Sequence, residues 1–205
     1  MEKSLIRIPL WLLLCLALLG GCNQVAQLPP LATDGIILAF GDSITAGTGA
    51  GPSESYPDVL GELTGRKVVN AGVPGEVTAE GLSRLPELLE NIKPSLLILC
   101  HAGNDLLRHL DQRQAADNLR GMIRLARDRG VAVLLIAVPA PDLSLKAPSF
   151  YAGLAVESGI PIESKSLVKI LSKGSLKSDY IHPNAAGYRQ LAETLVALLK
   201  KSGAI

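Results

Sequence analysis

The chain has 205 residues, of which 48% are hydrophobic, 19% charged and 3% aromatic. That apolar content supports a buried core and excludes a mainly disordered chain, and its 20 glycines and 13 prolines follow no Gly-x-y period, which excludes a collagen-like fibre. A formal net charge of +1 gives no electrostatic footprint for nucleic acid, so no nucleic-acid partner is expected.

The N-terminus is distinct from the rest. Lys3 and Arg7 precede an apolar run from Ile8 to Leu19. A positive start, a short apolar stretch and then small residues read as a secretory signal. The run is about a dozen residues, short of the roughly 20 needed to span a bilayer. It ends in Leu19-Gly20-Gly21-Cys22, which resembles a bacterial lipobox. Residues 1–21 are therefore expected to be a lipoprotein signal peptide, with Cys22 lipidated as the new N-terminus. The alternatives are ordinary signal cleavage nearby or an uncleaved anchor. By resemblance to diderm lipoproteins, Asn23 after the cysteine implies the outer membrane, facing the periplasm. Without residues 1–21, positive and negative residues balance, so charge alone does not draw the chain to anionic surfaces. Of the three cysteines, Cys15 leaves with the signal and Cys22 carries lipid. Only Cys100 remains, so no intrachain disulfide is expected.

Residues 22–34 read as the lipidated cysteine and an extended tether, with two prolines and no periodicity. From residue 35 to 205 one domain is expected. Apolar runs at Gly35–Phe40, Lys67–Asn70, Ser95–Cys100, Val131–Val138 and, more weakly, Ile160–Ile162 predict five strands. Continuous rather than alternating runs suit strands covered on both faces of a parallel sheet. Between them lie helical patterns. Residues 77–92 place Leu82, Leu85, Leu89 and Ile92 on one face, with Pro86 expected to kink or divide the helix. Ala115, Leu119, Met122 and Ala126 share a face, as do Tyr188, Leu191, Leu195, Val196 and Leu199 after the N-cap candidate Asn184. Alternating strands and helices predict a doubly wound α/β domain. The loop 139–148 has no element of its own and follows the fourth strand, on the edge where such folds bind ligands.

Four clusters fall at that edge: Gly41-Asp42-Ser43 after strand one, Asn70 to Gly75 after strand two, Gly103-Asn104-Asp105 after strand three, and Asp179 to Asn184 before the last helix. In this order and spacing they resemble the SGNH (GDSL) hydrolase family, and within it the thioesterase I/lysophospholipase L1 (arylesterase) branch. The resemblance covers roughly residues 35–200. It implies a three-layer α/β/α sandwich of flavodoxin-like type, whose five-stranded parallel sheet has the order 2-1-3-4-5. Strand one would then lie between strands two and three, so that Ser43, Gly75 and Asn104 converge from adjacent strand ends.

The chemistry fits that reading. A serine hydroxyl is a weak nucleophile and needs an adjacent base. Ser43 is the candidate nucleophile, His182 the candidate base, and Asp179 the carboxylate that would orient the imidazole. The spacing of Asp179 to His182 is typical of the family. Position 45 is Thr, so the Gly-x-Ser-x-Gly elbow of α/β-hydrolases is absent. The resemblance also implies an oxyanion hole made by the Ser43 N–H, the Gly75 N–H and the Asn104 side-chain amide, with Gly72 the less favoured alternative to Gly75. Taken singly, Ser43 also suits a helix N-cap. His101 is expected to pack or line a rim, His109 to sit at the surface, and Cys100 to be a small core residue. Asp42 and Asp105 are expected to brace loops. No residue spacing suggests a metal or other cofactor.

The expected activity is hydrolysis of carboxylic acyl esters through an acyl-Ser43 intermediate, with lysophospholipids, short or medium acyl esters or aryl esters as substrates and thioesters as a further class. The protein is expected to be a monomer held at a membrane by its anchor. Two other readings remain open at this level: a carbohydrate or cell-wall O-acetyl deacetylase on the same triad, and a silent acyl-binding lipoprotein.

Overall fold

The computed structural model describes residues 25–142 and 145–205. The expected signal peptide and the lipidation site Cys22 lie outside the described residues.

Five short strands form one parallel sheet: β1 (Ile37–Gly41), β2 (Val68–Gly72), β3 (Leu96–Cys100), β4 (Ala132–Ile136) and β5 (Ile162–Glu163). Their order is β2-β1-β3-β4-β5, as the resemblance implied, and every pairing is parallel. All residues of β1 and β3 are buried, which is why these central strands read as unbroken apolar runs. Edge strand β2 (VVNAG) is only half-buried and correspondingly less apolar.

Eight α-helices are described: α1 (Ser43–Ala46), α2 (Tyr56–Thr64), α3 (Thr78–Ile92), α4 (Gly103–Leu107), α5 (Gln112–Arg127), α6 (Ser149–Ser158), α7 (Ser166–Leu171) and α8 (Ala185–Lys201), with a 3-10 turn at Gly174–Leu176. They cover both faces of the sheet. Helices α2 and α7 pack on α8, while α3 and α6 pack on α5. The stripes predicted from periodicity face the core: Ala115, Leu119, Met122 and Ala126 of α5 are buried, and so are Tyr188, Leu191, Leu195 and Leu199 of α8, with Val196 only partly buried. Asn184 caps α8, its side chain accepting the Gly187 N–H at 3.1 Å.

Of the kink or division expected at Pro86, the division does not occur: α3 runs unbroken from Thr78 to Ile92 with Pro86 inside. The residue forfeits one N–H bond, but Leu85 and Leu89 on either side of it are buried in the core, and that packing holds the helix together. The tether expected over 22–34 is not a free spacer in its described part. Leu28 and Leu31 are each only 8% exposed and belong to the core. Their N–H groups donate to the carbonyls of Ser202 and Ala204, both at 2.8 Å, and Arg66 donates to the carbonyls of Leu31 and Ala32. Single leucines on either side of the Pro29-Pro30 pair carry no period, so their burial was hidden from a reading based on periodicity. The short helices α1, α4 and α7 were likewise not foreseen, and α2 and α6, expected only from the alternation of strands and helices, had been given no bounds.

Candidate active site

The site is assembled at the carboxyl ends of β1, β2 and β3 and at the start of α8. β1 ends at Gly41, and Asp42 then caps α1 by accepting the Ile44 N–H at 3.1 Å on Oδ1. This turn puts Ser43 first in α1, just beyond the strand end. β2 closes in behind it. A Cβ on Gly72 would lie 2.1 Å from the Ala46 nitrogen, so only glycine lets the two backbones meet. Thr45 is buried and shares a 3.1 Å hydrogen bond with the Tyr56 hydroxyl, which ties α1 to α2.

His182 Nε2 lies 3.0 Å from Ser43 Oγ. On its other side, His182 Nδ1 lies 2.8 Å from Asp179 Oδ2. Asp179 Oδ1 accepts the N–H groups of Ile181 and His182, both at 2.8 Å. The three-residue spacing thus forms a tight turn in which one carboxylate oxygen organises the backbone and the other faces the imidazole. Partial burial pushes the Asp179 carboxyl up, but the bonds from His182 and the two backbone N–H groups outweigh it and hold it below its usual range. The imidazole is mostly buried, at 13% exposed, whereas the carboxylate is 51% exposed.

The predicted oxyanion donors have distinct surroundings. Gly75 has φ +83°, a left-handed conformation that favours glycine. Among the described residues, neither its N–H nor that of Ser43 donates a hydrogen bond. The Gly72 N–H is already spent on Asn70 Oδ1 at 3.0 Å, which favours Gly75 over Gly72. Asn104 lies at the start of α4, after Ala102 in a left-handed conformation at φ +80°. Its Nδ2 donates to the Glu76 carbonyl at 3.0 Å. An amide nitrogen has two protons, so one remains for a ligand.

Ser43, Asn104 and His182 border a single cleft. Its other walls are mainly apolar and include Ile44, Leu107, Val138, Ala140, Leu171 and Ile181, with Asp42 and Tyr180 also lining it. Loop 139–148, singled out in the sequence, supplies Pro139, Ala140, Pro141 and Leu145 to the same wall.

Around this centre the expected bracing residues take the roles foreseen for them. Asp105 Oδ1 and Oδ2 accept from the Thr78 hydroxyl at 2.6 Å and the Thr78 N–H at 2.9 Å, joining α4 to α3. Asp42 is buried, and desolvation pushes its carboxyl up, opposed by the backbone N–H groups of Ile44 and Gly103. Cys100 is fully buried at the end of β3. Burial raises its thiol well above the ordinary range, which suits packing rather than nucleophilic attack. His101 is fully buried, and His109 is exposed at a left-handed turn. Among the described residues no group of three or more His, Cys, Asp or Glu side chains converges as a metal site would require.

The sequence reading missed Glu76, Arg84 and Arg108. Arg84 donates to both Glu76 oxygens, at 2.7 and 2.8 Å, and Arg108 Nη2 donates to the Gly75 carbonyl at 2.7 Å. Nothing in a one-dimensional reading pairs an arginine in mid-helix with a loop carboxylate eight residues earlier.

A serine, a histidine and an aspartate in hydrogen-bonded sequence at the carboxyl edge of a doubly wound sheet define a class: an SGNH-type hydrolase fold bearing a Ser-His-Asp arrangement. The chain belongs to the GDSL-like Lipase/Acylhydrolase family, whose model matches residues 39–190, and it is a serine-dependent carboxylic ester hydrolase. It is 33% identical over 199 residues to Esterase TesA of Pseudomonas aeruginosa, covering 89% of this chain and 96% of that protein. It is 27% identical over 172 residues to Thioesterase 1/protease 1/lysophospholipase L1 of Escherichia coli K12, covering 80% of this chain and 83% of that protein. Among solved structures, the crystal structure of TesA superposes with a TM-score of 0.73 at 30% identity, covering 80% of this chain and 98% of that one.

Proposed function

We propose that this hydrolase cleaves esters of medium-length or longer acyl chains, through an acyl-Ser43 intermediate. The observation that carries the reading is the apolar cleft on which Ser43 opens. A cleft walled by leucine, isoleucine, valine and proline stabilises a hydrocarbon chain and offers few partners to sugar hydroxyls. The relatives named as esterase, thioesterase and lysophospholipase support the same direction.

In this reading Ser43 Oγ attacks the ester carbonyl as His182 Nε2 takes its proton. Asp179 keeps the imidazole proton on Nδ1 and stabilises the imidazolium. The negative charge that develops on the carbonyl oxygen faces the N–H groups of Ser43 and Gly75 and the remaining N–H of Asn104. His182 returns its proton to the leaving alcohol. Water, deprotonated by the same imidazole, then releases the acid and restores Ser43. Thioesters follow the same path with a thiol leaving group.

We also read the protein as lipid-anchored at Cys22, in the cell envelope and on the outer membrane of a diderm host. The lipobox-like Leu19-Gly20-Gly21-Cys22 supports this. Labelling of the wild-type chain with radioactive palmitate, lost in Cys22→Ser, is the expected result.

The test of the activity uses residues 24–205 and p-nitrophenyl esters from acetyl to palmitoyl. Turnover lost in Ser43→Ala, with an optimum above acetyl, is expected. An optimum at acetyl with loss on longer chains would replace this reading with that of a deacetylase, and absence of turnover by the folded domain would favour a silent binding protein.

A further inference from the structure

Behind the cleft lies a buried ionic cluster that the acyl-transfer scheme does not use. Glu76 is 6% exposed and His101 is fully buried. Glu76 Oε1 accepts Arg84 Nε at 2.7 Å, and Oε2 accepts Arg84 Nη2 at 2.8 Å. His101 Nδ1 accepts the Ala102 N–H at 2.9 Å, which leaves the Nε2 proton to be donated to Glu76 Oε2 at 3.0 Å. Arg84 is itself fixed. It donates to the Ala71 carbonyl in β2 at 3.0 Å, and its guanidinium lies 4.4 Å from the centre of the Phe40 ring in β1. The His101 carbonyl accepts the Tyr151 hydroxyl at 2.7 Å. The Glu76 side chain is therefore tied to β1, β2, the end of β3 and α3 at once.

Its backbone meets the two oxyanion donors. Glu76 directly follows Gly75, and its carbonyl accepts Asn104 Nδ2 at 3.0 Å. Buried ion pairs are weak sources of stability, because desolvation offsets their attraction. A cluster of this kind beside two donors is better explained by the placement it enforces. Donors must sit within a few tenths of an ångström of the developing oxyanion to act.

We propose that Glu76 is a positioning residue: its carboxylate, held by Arg84 and His101, fixes the loop that carries the Gly75 N–H and orients the Asn104 amide. The proposal rests on the reading of Gly75 and Asn104 as oxyanion donors. Because the donors act on the transition state, loosening them lowers kcat and leaves substrate binding in the apolar cleft intact.

The experiment uses the full chain in detergent and a p-nitrophenyl ester, with Ser43→Ala as control. In Glu76→Gln, kcat falls about tenfold to a hundredfold while KM changes less than about twofold, as for a misplacement of an ångström or less. In the double variant with Asn104→Ala, the loss is smaller than the product of the two single losses, because Glu76 acts partly through Asn104. Arg84→Lys is the second probe, since lysine cannot bond both carboxylate oxygens in the same planar fork. It gives the same kcat-only loss, and it tests the proposal if Glu76→Gln does not fold. Unchanged kcat in a folded variant overturns the proposal, and so does a fully multiplicative loss with Asn104→Ala. Activity that survives Ser43→Ala instead overturns the serine mechanism, and the proposal falls with it.

Discussion

His182 Nε2 stands 3.0 Å from Ser43 Oγ across 139 residues of sequence, while Asp179, its partner on the other ring nitrogen, lies only three residues away. The two contacts are built differently. The first depends on the sheet and on the packing of α8 against α2. The second is local, made by a turn whose backbone N–H groups bind the same carboxylate.

That difference makes Asp179→Asn informative. An asparagine at this position still accepts the two backbone N–H bonds at Oδ1, so the turn survives. Its amide, however, presents a donor to His182 Nδ1, which then takes the tautomer with its proton on Nε2. That nitrogen can no longer accept the Ser43 proton. We expect kcat to fall by about 10³–10⁴-fold with the melting temperature near wild type. Steady-state kinetics and a thermal melt check this, and a loss below tenfold would remove Asp179 from the role.

Asn104→Ala removes one donor and leaves the Glu76 carbonyl without its side-chain partner. The expected cost is about 2.7–4 kcal/mol of transition-state stabilisation, read as a 10²–10³-fold loss in kcat at nearly constant KM. A loss confined to KM would assign Asn104 to ground-state binding instead.

Ala140 lies on the cleft wall in the loop after β4, where no regular element restrains it. A larger side chain there narrows the space open to an acyl chain. Ala140→Phe is expected to lower kcat/KM for octanoyl and longer esters at least tenfold, at roughly 0.8 kcal/mol for each methylene kept out of the cleft, and to spare the acetyl ester. A chain-length series on both proteins decides it, since a uniform loss at every length would show damage to the catalytic groups instead.

The Glu76 cluster also predicts a pH dependence of stability. Burial opposes the charged carboxylate, but the hydrogen bonds from Arg84 and His101 and the charge of Arg84 bring its pKa down from 4.5 to about 2. A group whose pKa is depressed on folding contributes stability above its unfolded pKa and loses it as the pH falls toward the folded value. This pH-dependent part is fully present near neutrality and fades between about pH 5 and pH 2, whatever the net worth of the ion pair. Glu76→Gln lacks this group, so the gap in melting temperature between wild type and variant should shrink across that window. A gap that stays constant from pH 6 to pH 2 would show that the carboxyl is not stabilised in its charged form.

Much of this protein is legible in one dimension. The apolar runs of β1 and β3 are continuous because both faces of those central strands are covered, and the stripes of α5 and α8 repeat at the helical period because one side of each helix is buried. The catalytic candidates can be read because each stands in a short motif at a strand end or helix start, where local turn chemistry limits the residue types. Tertiary structure alone decided the rest. The burial of Leu28 and Leu31 depends on the C-terminal carbonyls of Ser202 and Ala204, which their own neighbourhood does not specify. The survival of α3 through Pro86 depends on packing that outweighs one lost hydrogen bond. The Glu76-Arg84-His101 cluster draws on a loop, a helix and a strand end, and a charged residue carries no sequence signal of the partner that neutralises it. Local propensity and periodicity act over a few residues and can be read along the chain. Pairing of buried charge and closure of a cleft are set by distances in space, which only the folded sheet brings within reach.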